Sequence, residues 1–399
     1  MKKVTAALLA LALCLGLAAC GASKTEPATP APAHKIGVIV YNTGDNEVIG
    51  FRDYLKGYIE PSFEMVEFVY SGSIRTGEEE LAFIQKACDD GVEGFMSFLS
   101  HDLAAEVALC EKNHAYYLLA SGTVADENFD AVADNPWFLG AFGPGRAFEF
   151  QAGADLARFF AEAGYGDRYF ILSGGAAAGN EMHYQRTLGA LNALAVHYGV
   201  SFNQSREDLA RTEAPVTVTT GDLTITVCPG YVSREPGIST AKAAWAAGSY
   251  DAVLSVLPPE SMAEVIGATP LGVIDAYHTR NLQLVNKGTL QFVIGKYSSL
   301  VGPAFALMLN AVTGYAGDYR SNGKAIRVMQ GFWTSDSAAD YVEKYTLSTS
   351  ASKNAYNFDD LSKVIKLYNP DTTINDLVAL AEACSYFAVE ARRSVRPGK

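Results

Sequence analysis

KIGVIVY, residues 35–41, is an almost unbroken run of aliphatic and β-branched side chains, and its reading decides the fold. A strand with one wet face alternates apolar and polar residues. A run without alternation predicts a strand buried on both faces, as in a parallel sheet covered by helices. The loop NTGDNE (42–47) follows, and then a helix across 50–59. Working outward, the same unit recurs. A strand over 65–70 precedes a helix with Leu81, Ile84 and Cys88 at spacings of three and four, ending at Asp89-Asp90-Gly91. A strand over 94–99 precedes a helix through Leu103, Val107 and Leu109, and strands over 116–120 and 137–142 follow.

After a helix over 147–163 the pattern restarts with RYFILSGG (168–175) and a long helix over 181–198. Residues 215–227 alternate around Thr220-Gly221-Asp222 and predict an antiparallel hairpin inserted in the second half. Strands are expected over 251–257, 271–274, 290–294 and 325–329, and a helical stripe of Leu377, Leu380, Ala381, Cys384 and Phe387 marks the tail. Repeated strand–helix units predict an α/β fold of two doubly wound parallel-sheet domains. One domain is expected from 35–142 plus 297–325, the other from 143–296 plus 326–399.

The N-terminus carries an address. Lys2 and Lys3 precede an apolar or small stretch over 4–19, broken only by Thr5. That layout predicts a secretory signal peptide over 1–19, because the apolar run falls short of the roughly 20 residues of a spanning helix. LAACG (17–21) resembles the lipobox of bacterial lipoproteins. The resemblance implies cleavage before Cys20 and its diacylglyceryl modification, two chains being enough for stable anchoring. Residues 20–34, rich in Ala, Pro, Thr and Ser, then read as a flexible tether. The expected location is the extracytoplasmic face of the cell membrane, through a lipid anchor.

Net charge is −13, which speaks against nucleic acid or anionic lipid as partner. Cys88, Cys110, Cys228 and Cys384 show no C-x-x-C spacing, so no metal site is expected; they read as buried thiols, with Cys88 and Cys110 on consecutive helices as a conceivable pair. There is no G-x-S-x-G, H-E-x-x-H or P-loop. Ser239-x-x-Lys242 and Ser350-x-x-Lys353 both match S-x-x-K without a K-T-G partner, so an exported hydrolase is the weaker reading. GAFGPG (140–145) is not a dinucleotide fingerprint, and no cofactor is expected.

The chain resembles the type I periplasmic-binding-protein fold, the solute receptors of ABC importers. The likeness rests on the lipobox, on KIGVIVY, on YFILSGGAAAGNEMHYQRTLGAL (169–191), and on LGVIDAYHTRNLQLVNKG with TLQFVIGKYSSLVGPAFALMLNAVTG (271–314). It implies a monomer that binds a small polar solute, without chemistry, and serves an ABC permease; a sensing receptor is the alternative. Gly44-Asp45 and Lys296 are similar to the basic membrane protein branch, which includes nucleoside receptors. Many sugar receptors place Asp-Arg after strand four, where this chain has Ser121-Gly122. Sugar and nucleoside both stay open.

Ligands of open α/β sheets bind beyond the carboxyl ends of the strands, which selects the candidate contacts. After strand one come Asn42, Asp45 and Asn46, which are also favoured turn residues. His101 follows strand three, beside Ser100, which reads equally as a helix cap. Ser121 follows strand four. Phe142 sits at a crossover, where an aromatic ring can stack on a solute or pack the hinge. Asn180 and Tyr184 open the long helix, with capping and core packing as their other readings. Asp275 ends a buried strand, where a carboxylate without a donor is costly, and it is the strongest single candidate. His278 lies one short loop on, and Lys296 ends the strand expected to cross the hinge.

Overall fold

The computed structural model describes residues 34–259, 261–349 and 355–394; Cys20, the expected signal peptide over 1–19 and most of the expected tether over 20–34 lie outside them. The structure is built on two sheets. In the first, β1 (His34–Val40), β2 (Val66–Ser73), β3 (Gly94–Ser97), β4 (Tyr116–Leu119), β5 (Phe138–Gly143) and β12 (Ile326–Met329) lie in the order β12-β5-β4-β3-β1-β2, every pairing parallel. The second contains β6 (Arg168–Gly174), β7 (Val216–Thr220), β8 (Leu223–Pro229), β9 (Ala252–Ser255), β10 (Leu271–Ala276), β11 (Leu290–Lys296) and β13 (Trp333–Ser335). Its order is β13-β11-β10-β9-β6-β8-β7, with only the outermost strand on each side antiparallel.

The parallel strands read as apolar runs because helices cover both faces. The last five residues of β1 are buried, as are all four of β3 and all six of β10. In the first lobe, α1 (Asn46–Tyr54) lies on one face, and α2 (Gly77–Asp89) and α3 (Leu103–Lys112) on the other. Thr76 caps α2 by accepting from the Glu79 N–H at 3.2 Å, and Glu78, Glu79 and Glu80 place negative charge in its first turn. In the second lobe, α4 (Arg146–Glu162) packs against α5 (Glu181–Tyr198). Their backbones nearly touch: a Cβ on Gly153 would stand 1.8 Å from the Arg186 carbonyl oxygen, and one on Gly189 1.9 Å from that of Phe150. We expect Gly153→Ala to cost about 1–3 kcal/mol in a urea melt, since backbone cannot yield as a side-chain tip can. A loss below the fitting error would show that the helices separate freely.

α6 (Thr279–Asn286) lies between β10 and β11, and α7 (Gly302–Asn310) follows β11. Every residue of α7 is buried. The segment Ser298–Tyr319 has the length and apolarity of a membrane span, yet 72% of its most apolar window lies inside the fold, so it is core. The last helices are α8 (Ala338–Thr349), α9 (Ile374–Glu382) and α10 (Tyr386–Ser394).

One expectation needs correction. Residues 326–399 do not all belong with the second sheet. Ile326–Met329 pairs in parallel with β5, and the glycine at 140 (φ +150°) lets the strands close up, a Cβ there standing 2.1 Å from the Ile326 carbonyl oxygen. The chain crosses to the second sheet only after Met329. Part of the tail also packs on the first lobe: the Tyr54 hydroxyl donates to the Tyr356 carbonyl at 2.7 Å, and Asn310 Nδ2 to the Val364 carbonyl at 2.9 Å. The expected antiparallel hairpin is present, turning at Gly221 (φ +58°); β8 also pairs in parallel with β6, so the hairpin widens the sheet itself.

Candidate functional site

The carboxyl ends of β1, β10 and β11 meet between the lobes. Asp45 caps α1, its Oδ1 accepting from the Glu47 N–H at 2.9 Å and the Val48 N–H at 3.4 Å, and the Tyr41 hydroxyl is hydrogen-bonded to it. Burial, then the nearby carboxylates of Glu47 and Asp275, push its carboxyl up to about 6. Asp275 belongs to the other lobe, so its charge acts on Asp45 from across the cleft. A cross-lobe contact lies beside them: Lys296 Nζ is 3.2 Å from Glu47 Oε1, with both side chains largely buried.

Asp275 is held by its own lobe. His278 Nε2 lies 2.7 Å from Asp275 Oδ2, and Asn281 Nδ2 donates to the same oxygen at 2.8 Å. The His278 ring also caps α6, Nδ1 accepting from the Arg280 N–H at 3.2 Å and the Asn281 N–H at 3.4 Å. A ring that accepts at Nδ1 and donates at Nε2 is the neutral tautomer, assigned here from its partners. Both donors go to Oδ2. Oδ1 of Asp275 accepts from none of the described residues, although the side chain is only 3% exposed. An oriented acceptor on a largely buried side chain suits a hydroxyl or N–H of a solute.

The other sequence candidates divide. Asn42 turns back on its own loop, its Oδ1 accepting from the Gly44 N–H at 3.0 Å. Asn46, half-buried, opens α1 beside Asp45. Ser121 is buried with its hydroxyl unpartnered among the described residues. Asn180 takes its capping reading, Oδ1 accepting from the His183 N–H at 3.1 Å to cap α5, and its Nδ2 donates to the Tyr231 hydroxyl at 3.2 Å. Three candidates are placed elsewhere. Tyr184 packs in the second-lobe core under the Arg211 guanidinium, 3.7 Å from its ring centre, because α5 turns that face toward the core. Phe142 is 1% exposed inside the first-lobe core, so it packs the hinge. His101 is turned to Glu80, Nδ1 lying 2.8 Å from Oε2, and Ser100 donates to Glu106 at 2.7 Å, while Asp102 caps α3.

Sequence reasoning missed Glu47, Tyr41 and Asn281. Glu47 stood in the quoted NTGDNE loop. Asp275, His278 and Asn281 recur every three residues, a strand end, a cap and a first helical turn, and that spacing was a usable signal.

Known folds share this frame. A solute-binding protein of an ABC transporter from Actinobacillus succinogenes 130z, with bound D-allose, superposes with a TM-score of 0.57 at 13% identity, over 78% of this chain and 99% of that one. The chain has the type I periplasmic-binding-protein fold. A solute-binding protein from Bacillus halodurans C-125 with bound myo-inositol gives 0.55 at 15% identity, over 79% of this chain and 98% of that one. The arabinose-transporter binding protein from Shewanella sp. ANA-3, bound to L-arabinofuranose, gives 0.55 at 11%, over 81% and 99%. No family model and no curated protein matches the sequence. The type I periplasmic-binding-protein frame agrees with the sequence reading in its two parallel-dominated sheets.

Proposed function

We propose that the chain is an extracytoplasmic solute-binding lipoprotein, tethered through Cys20, that captures a small polar solute between its lobes and passes it to an ABC permease. The observation that carries the reading is the largely buried Asp275 carboxylate at the end of its strand, held through Oδ2 by His278 and Asn281 with Oδ1 left to accept. A sugar is the first solute class to test, since the fold neighbours hold D-allose, myo-inositol and L-arabinofuranose; a nucleoside is the second. The reading includes no chemical step, and the protein acts as a monomer.

The test is a thermal-shift screen of the protein against sugars, inositols, nucleosides and amino acids. A solute at about 100 times its Kd stabilises by about 2.7 kcal/mol, an obvious shift. Asp275→Ala should abolish the shift of the best hit, with affinity falling on the order of 100-fold, because a buried acceptor and the partners of His278 and Asn281 are lost together. An undiminished shift in that variant removes Asp275 from the site. Turnover of any hit would replace binding with catalysis.

A further inference from the structure

The strand-end loops at Asp275 and Lys296 are both gripped by one helix that belongs to neither parallel array. α8 follows β13, and β13 runs antiparallel to β11 with Trp333 opposite Gly295, next to Lys296. From there the helix lies along α6. Its inward face is Tyr341, Lys344, Leu347 and Ser348, the spacing of a single buried stripe.

Tyr341 reaches the His278 loop. Its hydroxyl accepts the His278 N–H at 3.1 Å and donates to the His278 carbonyl at 3.0 Å, so both backbone groups of one residue are held by one phenol. The ring stacks on Tyr277 at 5.1 Å, and Tyr277 is fixed in turn by the Ser335 hydroxyl at 2.8 Å. One turn on, the Tyr345 hydroxyl is 3.0 Å from that of Thr279. At its far end, Ser348 Oγ accepts the Ser298 N–H at 3.1 Å, two residues past Lys296, and the Ser298 hydroxyl donates to the Ser348 carbonyl.

We propose that α8 completes the solute site, with Tyr341 as the positioning residue that fixes the His278 backbone so that the imidazole stays on Asp275. The proposal rests on the reading of Asp275 as a solute contact. Fixing both N–H and C=O of His278 leaves its side chain only rotation about its own bonds. Of the staggered positions, the one adopted joins the α6 cap to Asp275 Oδ2. Without the phenol hydroxyl the loop is attached to the fold through its neighbours alone, and of the two donors that orient the Asp275 carboxylate only Asn281 stays firmly placed. A second lobe truncated after β13 would retain every strand of its sheet and lack this clamp.

The experiment needs no solute. In proton NMR of the intact protein, the His278 Nε2–H should give a downfield, slowly exchanging imidazole resonance, identified by its disappearance in His278→Gln. Tyr341→Phe keeps the stacked ring and removes only the oxygen. It should broaden that resonance and speed its exchange by roughly tenfold, with a melting temperature within a few degrees of the parent. Tyr345→Phe, at a more exposed turn of α8, tests the same coupling: faster amide exchange over 279–281 at unchanged melting temperature is expected. An imidazole resonance as sharp and as slow in Tyr341→Phe as in the parent overturns the proposal, and so does unchanged exchange over 279–281 in Tyr345→Phe. Since no solute is added, a failed solute screen and a failed clamp remain separate results.

Discussion

Glu149→Ala is expected to lower unfolding free energy by about 3–5 kcal/mol, the loss typical when one member of a buried ion pair is removed. Glu149 lies in the first turn of α4, just past the passage from β5 into the second lobe, and is fully buried. Its Oε2 is 2.6 Å from Arg186 Nε, and its Oε1 is 3.0 Å from the hydroxyl of Thr123, a first-lobe residue that also donates toward the Pro144 carbonyl at 2.9 Å. Arg186 is itself 5% exposed, and its Nη1 donates to the Val256 carbonyl at 2.9 Å. Alanine would leave that guanidinium in the interior with one carbonyl and the Phe332 ring, 5.6 Å away, as its neighbours. The charge, more than the lost bonds, sets the size of the effect. Two controls separate these contributions. Glu149→Gln keeps the shape and should cost less. Glu149→Leu combined with Arg186→Met removes both charges and should recover most of the loss. The measurement is urea unfolding followed by tryptophan fluorescence, and a single alanine variant within 1 kcal/mol of the parent would show that the pair is not desolvated.

How much of this was legible follows from the range of each interaction. KIGVIVY and LGVIDA read as buried strands because two-sided burial is written in consecutive residues, and Asp275 and Lys296 were found because a polar residue ending such a run is conspicuous. IRVM at 326–329 reads as a strand equally well. Nothing within it names its partner, though, and the deciding feature is a glycine at 140 that admits Ile326 to the edge of β5. Tyr184 was misread for a related reason. A helix start after a glycine-rich loop points toward a cleft in general, but the rotation of α5 is set by Gly153 and Gly189 on two different helices. Phe142 lies on a strand buried along its whole length, where periodicity distinguishes no face. Tyr341 meets His278 across 63 residues, a pairing no local pattern encodes.

The last prediction concerns pH. Glu80 and Glu106 lie buried together below the end of β3. Glu106 is well supplied with donors: the Ser100 hydroxyl at 2.7 Å, the backbone N–H of His101 at 2.9 Å and of Asp102 at 2.8 Å, and the Tyr117 hydroxyl at 2.8 Å. Glu80 has fewer, the His101 N–H at 3.3 Å and ring Nδ1 at 2.8 Å, and the Tyr117 hydroxyl at 3.4 Å. Burial first, and then the Glu106 charge, push the Glu80 carboxyl up to about 7, and the protonated acid is hydrogen-bonded to Glu106. A carboxyl whose pKa is higher folded than unfolded binds more protons in the native state. Its effect on stability is therefore opposite to that of a salt-bridged acid: stability falls as pH rises from the unfolded value near 4.5, through about 7, and is level above that. Asp45, raised from 3.8 to about 6, adds a smaller fall of the same sign at the lower end of that window. Glu80→Gln presents a permanent donor to Glu106 in place of the acid O–H. It should match the parent near pH 4.5 and exceed it at pH 8 by up to about 3 kcal/mol, the free-energy equivalent of such a shift. Melting temperatures of parent and variant taken from pH 4.5 to 8 should diverge as pH rises. Parallel curves would mean that Glu80 is already ionised at the low end.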